Sequence, residues 1–579
     1  MQKFPEQSSV ASGPGAASGA FEYGGAVAHA AAPEIGTSPR DGASPAEMRK
    51  VVLASVAGTT FEWYDFFLFV PLAAVLSRSF FGGMNETAGY IFALSVFAVG
   101  FAFRPLGALL FGHIGDKRGR KATFLVTMAL MGLATFGIGL LPGYATIGVA
   151  APVLFIILRI LQGLALGGEW GGAATYIVEH VGSKRRGYTS SWLGASAAFG
   201  LGGALLAVLA ARMLVGEAAF VDWGWRLPFL FSLVLLAISM WIRSRLHESP
   251  AFLRLKAEGG RSDRPLAESF LQWTNLKLVL TALFGIMVAQ GAVWYTVFFY
   301  LPSFLEKAVR VPPAMVNALM LLLVAISVPF YVFFGWLSDR VGRKPVMVGG
   351  MLLFATALFP AFHLLTEAAN PKLEAASRAA PVVVVADPSG CNFQFDPIGQ
   401  AEFQSGCDIA KATLAEAGIP YSNEAASRGA IVVVRIGEAT VSAPALDGSD
   451  SAASRMRFAD ALRGALLQAG YPRAADPAAV DRASIMFVAI VLMIGATALY
   501  GPQAAALVEL FPTRIRYTAM SLPYHVGTGW VGGFLPPSVF AIVAATGNVY
   551  GGLWYPFGFT VLAIVIAVLF LPETRDHPV

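Results

Sequence analysis

The sequence predicts an all-α membrane protein in which twelve transmembrane helices form two pseudo-symmetric six-helix bundles, with a small periplasmic α/β insertion between helices 9 and 10. Three observations support this prediction. Hydrophobic side chains make up 56% of the 579 residues and charged side chains 13%, which is too apolar for an ordinary soluble protein. Twelve stretches have the length of a membrane helix, and one basic loop occurs twice in the same register.

The twelve apolar stretches are called segments 1 to 12. Each has the roughly 20 residues or more that a helix needs to cross a bilayer. In chain order, segments 1 to 12 lie near 51–76, 88–111, 122–142, 150–179, 189–214, 226–243, 276–304, 315–337, 346–366, 485–508, 518–545 and 551–571.

The segments and the polar stretches between them define the predicted domains. Residues 1–47 are rich in Ala, Gly, Ser and Pro and lack the basic start and apolar core of a cleaved signal, so we expect a disordered cytoplasmic tail. The first segment then acts as an uncleaved signal anchor. An N-terminal bundle, a cytoplasmic linker, segments 7 to 9, a periplasmic insertion, and segments 10 to 12 with a short tail follow at 48–248, 249–275, 276–366, 367–484 and 485–579.

Lysine and arginine residues determine the predicted orientation. With twelve segments, their clusters all fall on one side of the membrane, at 117–121, 184–186, 243–256, 340–344 and 514–516. Because these residues are enriched on the cytoplasmic side, we expect a multi-pass protein of a bacterial inner membrane with both termini in the cytoplasm. The net charge of +5 reflects these loops, and we expect no nucleic-acid partner.

Repeated landmarks indicate that the two halves are related. The three pairs are GHIGDKRGRK at 112–121 with GWLSDRVGRK at 335–344, Glu179 to Arg186 with Glu509 to Arg516, and Glu248 with Glu573. The copies of the first landmark are about 100 residues closer together than the copies of the other two. An additional stretch of that length must therefore lie between segments 9 and 10, where residues 367–484 are polar and contain no apolar segment.

The insertion has secondary-structure signals of its own. Short β-branched runs and helical spacing predict strands at 382–385 and 431–434 and helices at 408–417 and 451–468, with Asp408 and Ser451 as possible caps. Cys391 and Cys407 enclose a short loop in an oxidising compartment, where a disulfide would contribute about 3 kcal/mol; two unpaired thiols are the alternative. The sequence contains no nucleotide loop, metal cluster or hydrolase triad, so we expect neither an enzyme nor a cofactor.

Ionisable residues within the N-terminal segments are candidates for function, because a charge in the hydrocarbon layer costs several kcal/mol unless it is paired or solvated. Segment 1 contains Glu62 and Asp65 one turn apart, segment 2 contains Arg104, and segment 4 contains Arg159 and Glu169. One acid can pair while the other binds a proton. As alternatives, Arg104 pairs with Glu62 or Asp65 as a structural lock, and Glu169 holds the bend made by the glycines at 167–172.

The C-terminal segments are almost free of charge and instead offer aromatic and amide side chains. These are Gln290, Trp294, Tyr295 and Tyr300 in segment 7, Tyr500 and Gln503 in segment 10, and Tyr524 and His525 in segment 11. Interfacial belts and packing are the common alternative for each aromatic residue. Together the residues fit a cavity with a charged wall on one side and an aromatic wall on the other.

Several motifs resemble those of a known transporter family. The loop at 112–121 resembles the signature loop after the second helix of the major facilitator superfamily. Four further motifs resemble the metabolite:proton symporter family within it: FEWYDF at 61–66, FRPLG at 103–107, QG through GGEWGG at 162–172, and ELFPTRIRY at 509–517. Members of that family carry osmolytes such as proline and betaine, or organic acids such as α-ketoglutarate, citrate and shikimate, together with protons. The insertion has no counterpart in the family's common pattern.

The resemblance adds roles for Arg159 and for the repeated loop to the roles that the membrane-embedded residues themselves suggest. Arg159 matches the superfamily's fourth-helix arginine, which is linked to proton transfer. The predicted proton-coupling set consists of Arg159, Glu62, Asp65 and Glu169. The predicted substrate ligands are Arg104, Gln162, Trp294, Tyr295, Tyr500, Gln503, Tyr524 and His525. Asp116 and Asp339 would latch helix ends to opposing basic groups, in a set that also contains Gly112, Arg118, Arg120, Arg340, Arg343, Lys344 and Arg514. A role in topology alone is the alternative for these loop charges.

The predicted function is a proton-coupled symporter that imports a small organic acid by alternating access and works as a monomer. Its expected partners are the metabolite, protons and the lipid bilayer. A symporter for a zwitterionic osmolyte is the main alternative. Drug:proton antiporters usually carry a Gly-Pro element in the fifth segment, and this class is disfavoured because residues 194–203 contain glycines without proline. A receptor that uses the insertion would need a cytoplasmic output domain, and this class is disfavoured because only six residues follow Glu573.

Overall fold

The computed structural model describes residues 45–81, 86–245, 248–260, 262–394, 404–444 and 451–577. The predicted tail at 1–47 lies almost entirely outside the described residues. All twelve segments form helices. Within the described residues, ten helices are long and apolar enough to cross a bilayer, and they correspond to segments 3 to 12: Arg120–Leu140, Ala150–His180, Arg186–Val215, Arg226–Ser244, Trp273–Ala308, Pro313–Val341, Arg343–Ala369, Arg482–Leu510, Arg516–Thr546 and Gly551–Phe570.

Segments 1 and 2 are helical but are not among these ten. Segment 1 forms Pro45–Phe67 and Phe69–Phe80, separated at Leu68, and segment 2 forms Glu86–Arg118 with Pro105 in its interior. Ten crossings are therefore supported by length and composition, and a total of twelve stays a prediction. Short helices connect the segments at Tyr144–Ile147, Glu217–Ala219, Pro250–Ala257 and Pro265–Leu271.

Glycines allow segments 2 and 4 to pack with their backbones in contact. A Cβ atom at Gly107 would lie 2.0 Å from the carbonyl oxygen of Leu164, and one at Gly163 would lie 2.3 Å from that of Gly100. Close approach of this kind is what small residues provide between membrane helices. The contact places the side of segment 2 that contains Arg104 against segment 4.

Segments from different halves pair along two seams. Segment 5 packs along segment 8, and segment 2 packs along the first part of segment 11. Segments 7 and 11 are irregular, with wider π-helical turns at Leu283–Met287, Thr296–Tyr300, Phe304–Ala308 and Val526–Gly532. Such turns are uncommon and occur frequently at functional sites.

The insertion forms a small α/β unit with a buried cluster separate from that of the membrane helices. Its four strands, β1 to β4, are Val382–Ala386, Tyr421–Ala425, Val433–Ile436 and Ala439–Ser442, in the sheet order β2-β1-β3-β4. β1 and β2 are parallel, and the other pairs are antiparallel. Its helices are Pro371–Ala379, Gly406–Glu416 and Ser451–Gln468.

The predicted insertion elements are present, but the expected cap at Asp408 is wrong. Ser405 caps the helix, because its hydroxyl accepts from the backbone N–H of Asp408 at 3.0 Å. Asp408 lies in the first turn, where it is buried and accepts from the backbone and side-chain nitrogens of Asn392 at 2.7 Å each. The last helix begins at Ser451, so its cap position falls outside the described residues. A disulfide joins Cys391 and Cys407.

Candidate functional site

Arg104 is a fully buried cation surrounded by aromatic rings. Its guanidinium carbon lies 5.2 Å from the ring centre of Phe101 and 5.7 Å from those of Trp63 and Phe66, and its side chain is 0% exposed. None of its three guanidinium nitrogens is within hydrogen-bond geometry of a described atom, and the hydroxyl of Tyr295 is a polar group close enough to interact with them. The alternative in which Arg104 pairs with Glu62 or Asp65 is therefore not what the structure shows.

Polar side chains of the C-terminal half also lie near Arg104. Arg104 lies within electrostatic reach of Tyr295 in segment 7, Tyr500 in segment 10, and Tyr524 and His525 in segment 11. The two halves also touch through rings here, because Trp170 stacks on Tyr524 at 3.7 Å and Phe101 contacts Tyr295 at 5.9 Å. The hydroxyls of Tyr500 and Tyr524 are 3.2 Å apart. The predicted charged wall and aromatic wall thus meet.

Other predicted substrate ligands differ in how they are placed. The amide oxygen of Gln503, and that of Gln290 in segment 7, are buried and lack hydrogen-bond partners among the described atoms, whereas the buried ring of His525 lies beside the backbone of Gly167. Buried polar atoms without partners are rare and mark places where a polar ligand fits. Trp294 instead donates its ring N–H to the hydroxyl of Tyr331 at 2.8 Å, within the C-terminal half.

Two predicted residues lie away from the roles that the sequence suggested. Tyr300 stacks on Phe362 at 5.5 Å, within the packing of the C-terminal half. Gln162, predicted as a substrate ligand, accepts from Arg159 at 2.8 Å and donates to the Thr135 hydroxyl at 2.7 Å. The Thr135 hydroxyl also lies within hydrogen-bonding reach of Asp65. A polar chain therefore runs from Asp65 through Thr135 and Gln162 to Arg159.

A second cluster contains the other two buried acids. One guanidinium nitrogen of Arg243 donates to Glu169 at 2.6 Å and lies 3.5 Å from Glu62, and the two carboxyl groups are near enough to share a proton. The Thr127 hydroxyl donates to the second oxygen of Glu169 at 3.0 Å. Glu169 therefore serves as an ion-pair partner, in place of the suggested role in holding the glycine bend.

The sequence does not reveal the role of Arg243, because this residue stands at the end of segment 6, next to a basic loop. Its guanidinium lies against Gly58, where a Cβ atom would be 2.1 Å from one terminal nitrogen. Gly58 precedes Glu62 by one helical turn, so both face the same side of segment 1. A glycine one turn before a buried acid was a signal that a bulky partner approaches there.

The two aspartates of the repeated loop bind helix N-termini of the opposite half. Asp116 accepts from the backbone N–H groups of Tyr517 at 3.3 Å and Thr518 at 2.9 Å, which begin segment 11. Asp339 accepts from those of Gly187 at 2.8 Å and Tyr188 at 2.7 Å, which begin segment 5. Free N–H groups and the helix dipole favour an anion at these positions. We call this end of the bundles the latch end.

Arginine and glutamate side chains complete the latch end in two equivalent clusters. Glu179 lies 3.6 Å from Arg120 and 2.9 Å from Arg516, while Glu509 lies 3.1 Å from Arg343 and 3.6 Å from Arg186. The remaining repeated pair, Glu248 and Glu573, accepts from the first backbone N–H groups of segments 3 and 9. These glutamates were recognised as repeated landmarks but not as latch residues.

The structure corrects the expected latch partners. Asp116 and Asp339 accept from backbone N–H groups of the opposite half and pair with the arginine four residues later in their own loop, and Asp339 also lies within electrostatic reach of Arg186 in the N-terminal half. Arg118 is exposed, Arg340 lies over the Trp336 ring at 4.0 Å, Lys344 donates to Val568, and Arg514 pairs with Glu268 of the linker at 2.5 Å. Gly112 is the predicted glycine of close approach, since a Cβ atom there would lie 2.9 Å from the backbone of Thr518.

Comparisons with known proteins agree with this architecture. The family described as Major Facilitator Superfamily matches residues 56–367, and the one described as Sugar (and other) transporter matches residues 465–579. The Proline/betaine transporter of Escherichia coli (strain K12) is 36% identical over 329 residues, which are 55% of this chain and 65% of that protein, just under two thirds of its length. The Shikimate transporter of the same strain is 36% identical over 322 residues, covering 55% of this chain and 72% of that protein.

Solved structures share the fold. The proton:xylose symporter XylE bound to 6-bromo-6-deoxy-D-glucose is 16% identical, covers 91% of this chain and 97% of its own, and has a TM-score of 0.57. A partially occluded inward-open conformation of the xylose transporter XylE from E. coli is 15% identical, covers 92% and 100%, and has a TM-score of 0.54. At these identities the likeness concerns the fold alone.

Proposed function

The chain belongs to the Major Facilitator Superfamily, a family of transporters and not of enzymes, and on that premise we propose that it is a proton-coupled symporter importing a small organic acid. The observation that supports this most strongly is the pair of unlike groups in its centre. Arg104 is a buried cation without a counter-ion among the described residues, and separate buried carboxyl groups lie on segments 1 and 4. Anion binding and proton binding therefore have different residues available to them.

Arg104 is the proposed anchor for the substrate carboxylate. Leaving a buried charge uncompensated is strongly unfavourable, whereas a carboxylate accepts two parallel hydrogen bonds from a guanidinium. The three rings around Arg104 exclude water and strengthen that interaction. The polar atoms of Tyr295, Tyr524 and His525 are available for the rest of the substrate.

Asp65 is the proposed carrier of the coupled proton. Thr135 already donates its hydroxyl hydrogen to the backbone oxygen of Met131 at 3.0 Å and accepts from Gln162. A hydroxyl has a second lone pair, so Thr135 can accept from Asp65 when Asp65 is protonated. These contacts therefore suit the neutral, protonated form of Asp65. Arg159, at the far end of the polar chain of side chains, would stabilise the charged form.

The cluster of Glu62, Glu169 and Arg243 has one negative charge in excess when both acids are ionised. A single proton shared between the two carboxyl groups would neutralise it. Such a cluster supports movement of segments 1, 4 and 6 as one body, because breaking a buried pair leaves an uncompensated charge.

Alternating access would proceed by opening and closing the latch end. We place that end, and both termini, in the cytoplasm of a bacterial inner membrane, with twelve crossings and the insertion on the periplasmic face. The latch contacts join the two halves, so a state open to the cytoplasm requires that Asp116 and Asp339 leave their helix N-termini. Rocking of two related halves about a central site is how such folds transport.

A zwitterionic osmolyte remains the second candidate, because the rings of Trp63, Phe66 and Phe101 form a face that a quaternary ammonium group can also bind. The position of Arg104 over those rings favours an anion instead. Both classes carry a carboxylate that Arg104 can bind, and they differ in whether the substrate also carries a positive charge.

Uptake into proteoliposomes tests the proposal. Radiolabelled shikimate, α-ketoglutarate, citrate, proline and glycine betaine are each offered with an imposed proton gradient, with and without a protonophore. We expect accumulation of shikimate, α-ketoglutarate or citrate that the protonophore abolishes and that is lost in Arg104→Gln. Accumulation that ignores the proton gradient contradicts the coupling, and uptake confined to proline and glycine betaine favours the second candidate.

A further inference from the structure

The insertion is fastened to two membrane helices of the C-terminal half at the ends remote from the latch. Neither family match includes residues 368–464, which form most of it. Within the described residues, its contacts with the membrane helices include the ends of segments 7 and 11. Both segments contain widened π-helical turns, and both contribute polar side chains that lie near Arg104.

Arg310, just beyond the end of segment 7, makes the first attachment. Its guanidinium donates to the carbonyl oxygen of Ala417 at 3.0 and 2.6 Å and to that of Pro472. Its own carbonyl accepts from the backbone of Ala475 at 2.9 Å. Arg310 has a φ of 61°, a left-handed conformation that costs energy for a residue other than glycine. The insertion therefore holds this arginine in a conformation that it would not adopt alone.

β2 of the insertion makes the second attachment. The backbone N–H of Tyr421 donates to Gly547 at 2.9 Å, and its hydroxyl donates to Ala544. The Asn423 amide reaches the carbonyl oxygens of Ala545 and Thr546 at 3.3 Å each. At Gly547, which ends segment 11, a Cβ atom would lie 2.0 Å from the backbone oxygen of Tyr421, so the two chains are in direct contact.

From these two attachments we propose that the insertion is a brace that fixes the separation of segments 7 and 11, and thereby positions Tyr295 and Tyr524 around the substrate. Segments 7 and 11 also pack directly on each other, since a Cβ atom at Gly291 would lie 2.1 Å from the carbonyl oxygen of Gly527, and the insertion adds a second connection at their far ends. The brace remains docked while the two halves rock, because both attachments belong to the same half. This inference rests on the proposed transport function only for its effect on substrate binding.

A distance measurement tests the brace without any transport assay. Spin labels on Lys307→Cys and Thr546→Cys report the separation of the two segment ends, and the native cysteines do not react because they form a disulfide. We expect Arg310→Ala to broaden the distance distribution. The matched control is Arg463→Ala, which removes an exposed insertion arginine that pairs only with Asp460 in the described residues, and it leaves the distribution narrow. An unchanged distribution in Arg310→Ala overturns the proposal.

Uptake kinetics then separate a brace from a gate. We expect Arg310→Ala to raise KM about tenfold with little change in maximal rate, since loss of charged hydrogen bonds is of that order. A short thiol cross-linker between Asn423→Cys and Thr546→Cys locks the insertion in its docked position. Uptake that survives cross-linking supports the brace, whereas loss of uptake on cross-linking an otherwise active variant shows that the insertion must undock. If the parent protein transports nothing, the proposed function fails while the distance measurement still decides on the brace.

Discussion

At the scale of single residues, the buried acids fall into two chemically different settings. The polar groups that link Asp65 to Arg159 begin with the neutral hydroxyl of Thr135 and the neutral amide of Gln162. One carboxyl oxygen of Asp65 lacks a hydrogen-bond partner among the described atoms. Glu62 and Glu169 instead share the guanidinium of Arg243. An acid that is not tied to a cation can exchange its proton without breaking an ion pair, which is why we propose Asp65 as the proton carrier.

Replacing Asp65 with asparagine should abolish proton-driven accumulation and leave substrate exchange intact. Asparagine has the shape of a protonated aspartate but cannot release a proton. The variant should therefore still reorient its substrate site as the protonated protein does, without moving a proton. Accumulation and counterflow in proteoliposomes measure the two activities. Glu217→Gln is the control, because that acid is exposed and pairs with Arg212 on the surface. Accumulation that persists in Asp65→Asn would show that the proton binds elsewhere.

The space for Arg243 predicts a second residue-scale effect. Gly58→Ala should force the guanidinium away from Glu62 and Glu169 and lower the stability by about 3 kcal/mol, the scale of breaking a buried pair. Gly202→Ala makes the same change on segment 5, where no atom lies within 4 Å of the new Cβ, and should be neutral or slightly stabilising. Thermal unfolding in detergent compares the two. Equal melting temperatures would mean that Arg243 relaxes without cost.

At the scale of helices, the latch uses the N-termini of segments 5 and 11 in the same way. Asp116→Asn and Asp339→Asn should each weaken the closed latch by a similar amount, because each removes a charge from two backbone N–H groups. A cysteine introduced at the buried position Ser191 can report opening of the latch, because a maleimide reaches it only when the latch end opens. We expect labelling of Ser191→Cys to be about tenfold faster in either variant. Asp576→Asn, in the exposed tail, should have no effect. A large effect from only one loop aspartate would contradict the equivalence of the two seams.

The repeated motifs predicted which loops form the latch but not what they bind. The sequence shows that Asp116 and Asp339 are equivalent, since they occupy the same place in two copies of one loop. Their partners are backbone groups, which have no sequence signature. Arg243 was assigned to a loop for a similar reason: residue type and segment boundaries do not reveal whether the last turn of a helix points inward.

At the scale of the whole molecule, the membrane helices and the insertion have separate buried clusters, so the insertion can lose stability independently. The double variant Cys391→Ser/Cys407→Ser should destabilise the insertion by about 3 kcal/mol, the loop-closure value for a bridge of this span. Limited proteolysis with mass spectrometry should then show earlier cleavage within residues 371–468 and unchanged protection of the membrane helices. Reduced wild-type protein should behave as the variant does, and identical digestion of all samples would contradict the prediction.

The sequence by itself determined the helical membrane architecture, the relation between the halves and the position of the insertion. These follow from hydrophobic length, charge distribution and repetition, which are local properties that a chain displays in its order of residues. Only the tertiary structure decided that Arg104 has no counter-ion among the residues that the structure describes, that Arg243 lies between Glu62 and Glu169, and that the insertion is bonded to the ends of segments 7 and 11. The reason is physical. Which buried groups pair depends on which helix faces come into contact, and residues that lie far apart in the sequence together determine those faces.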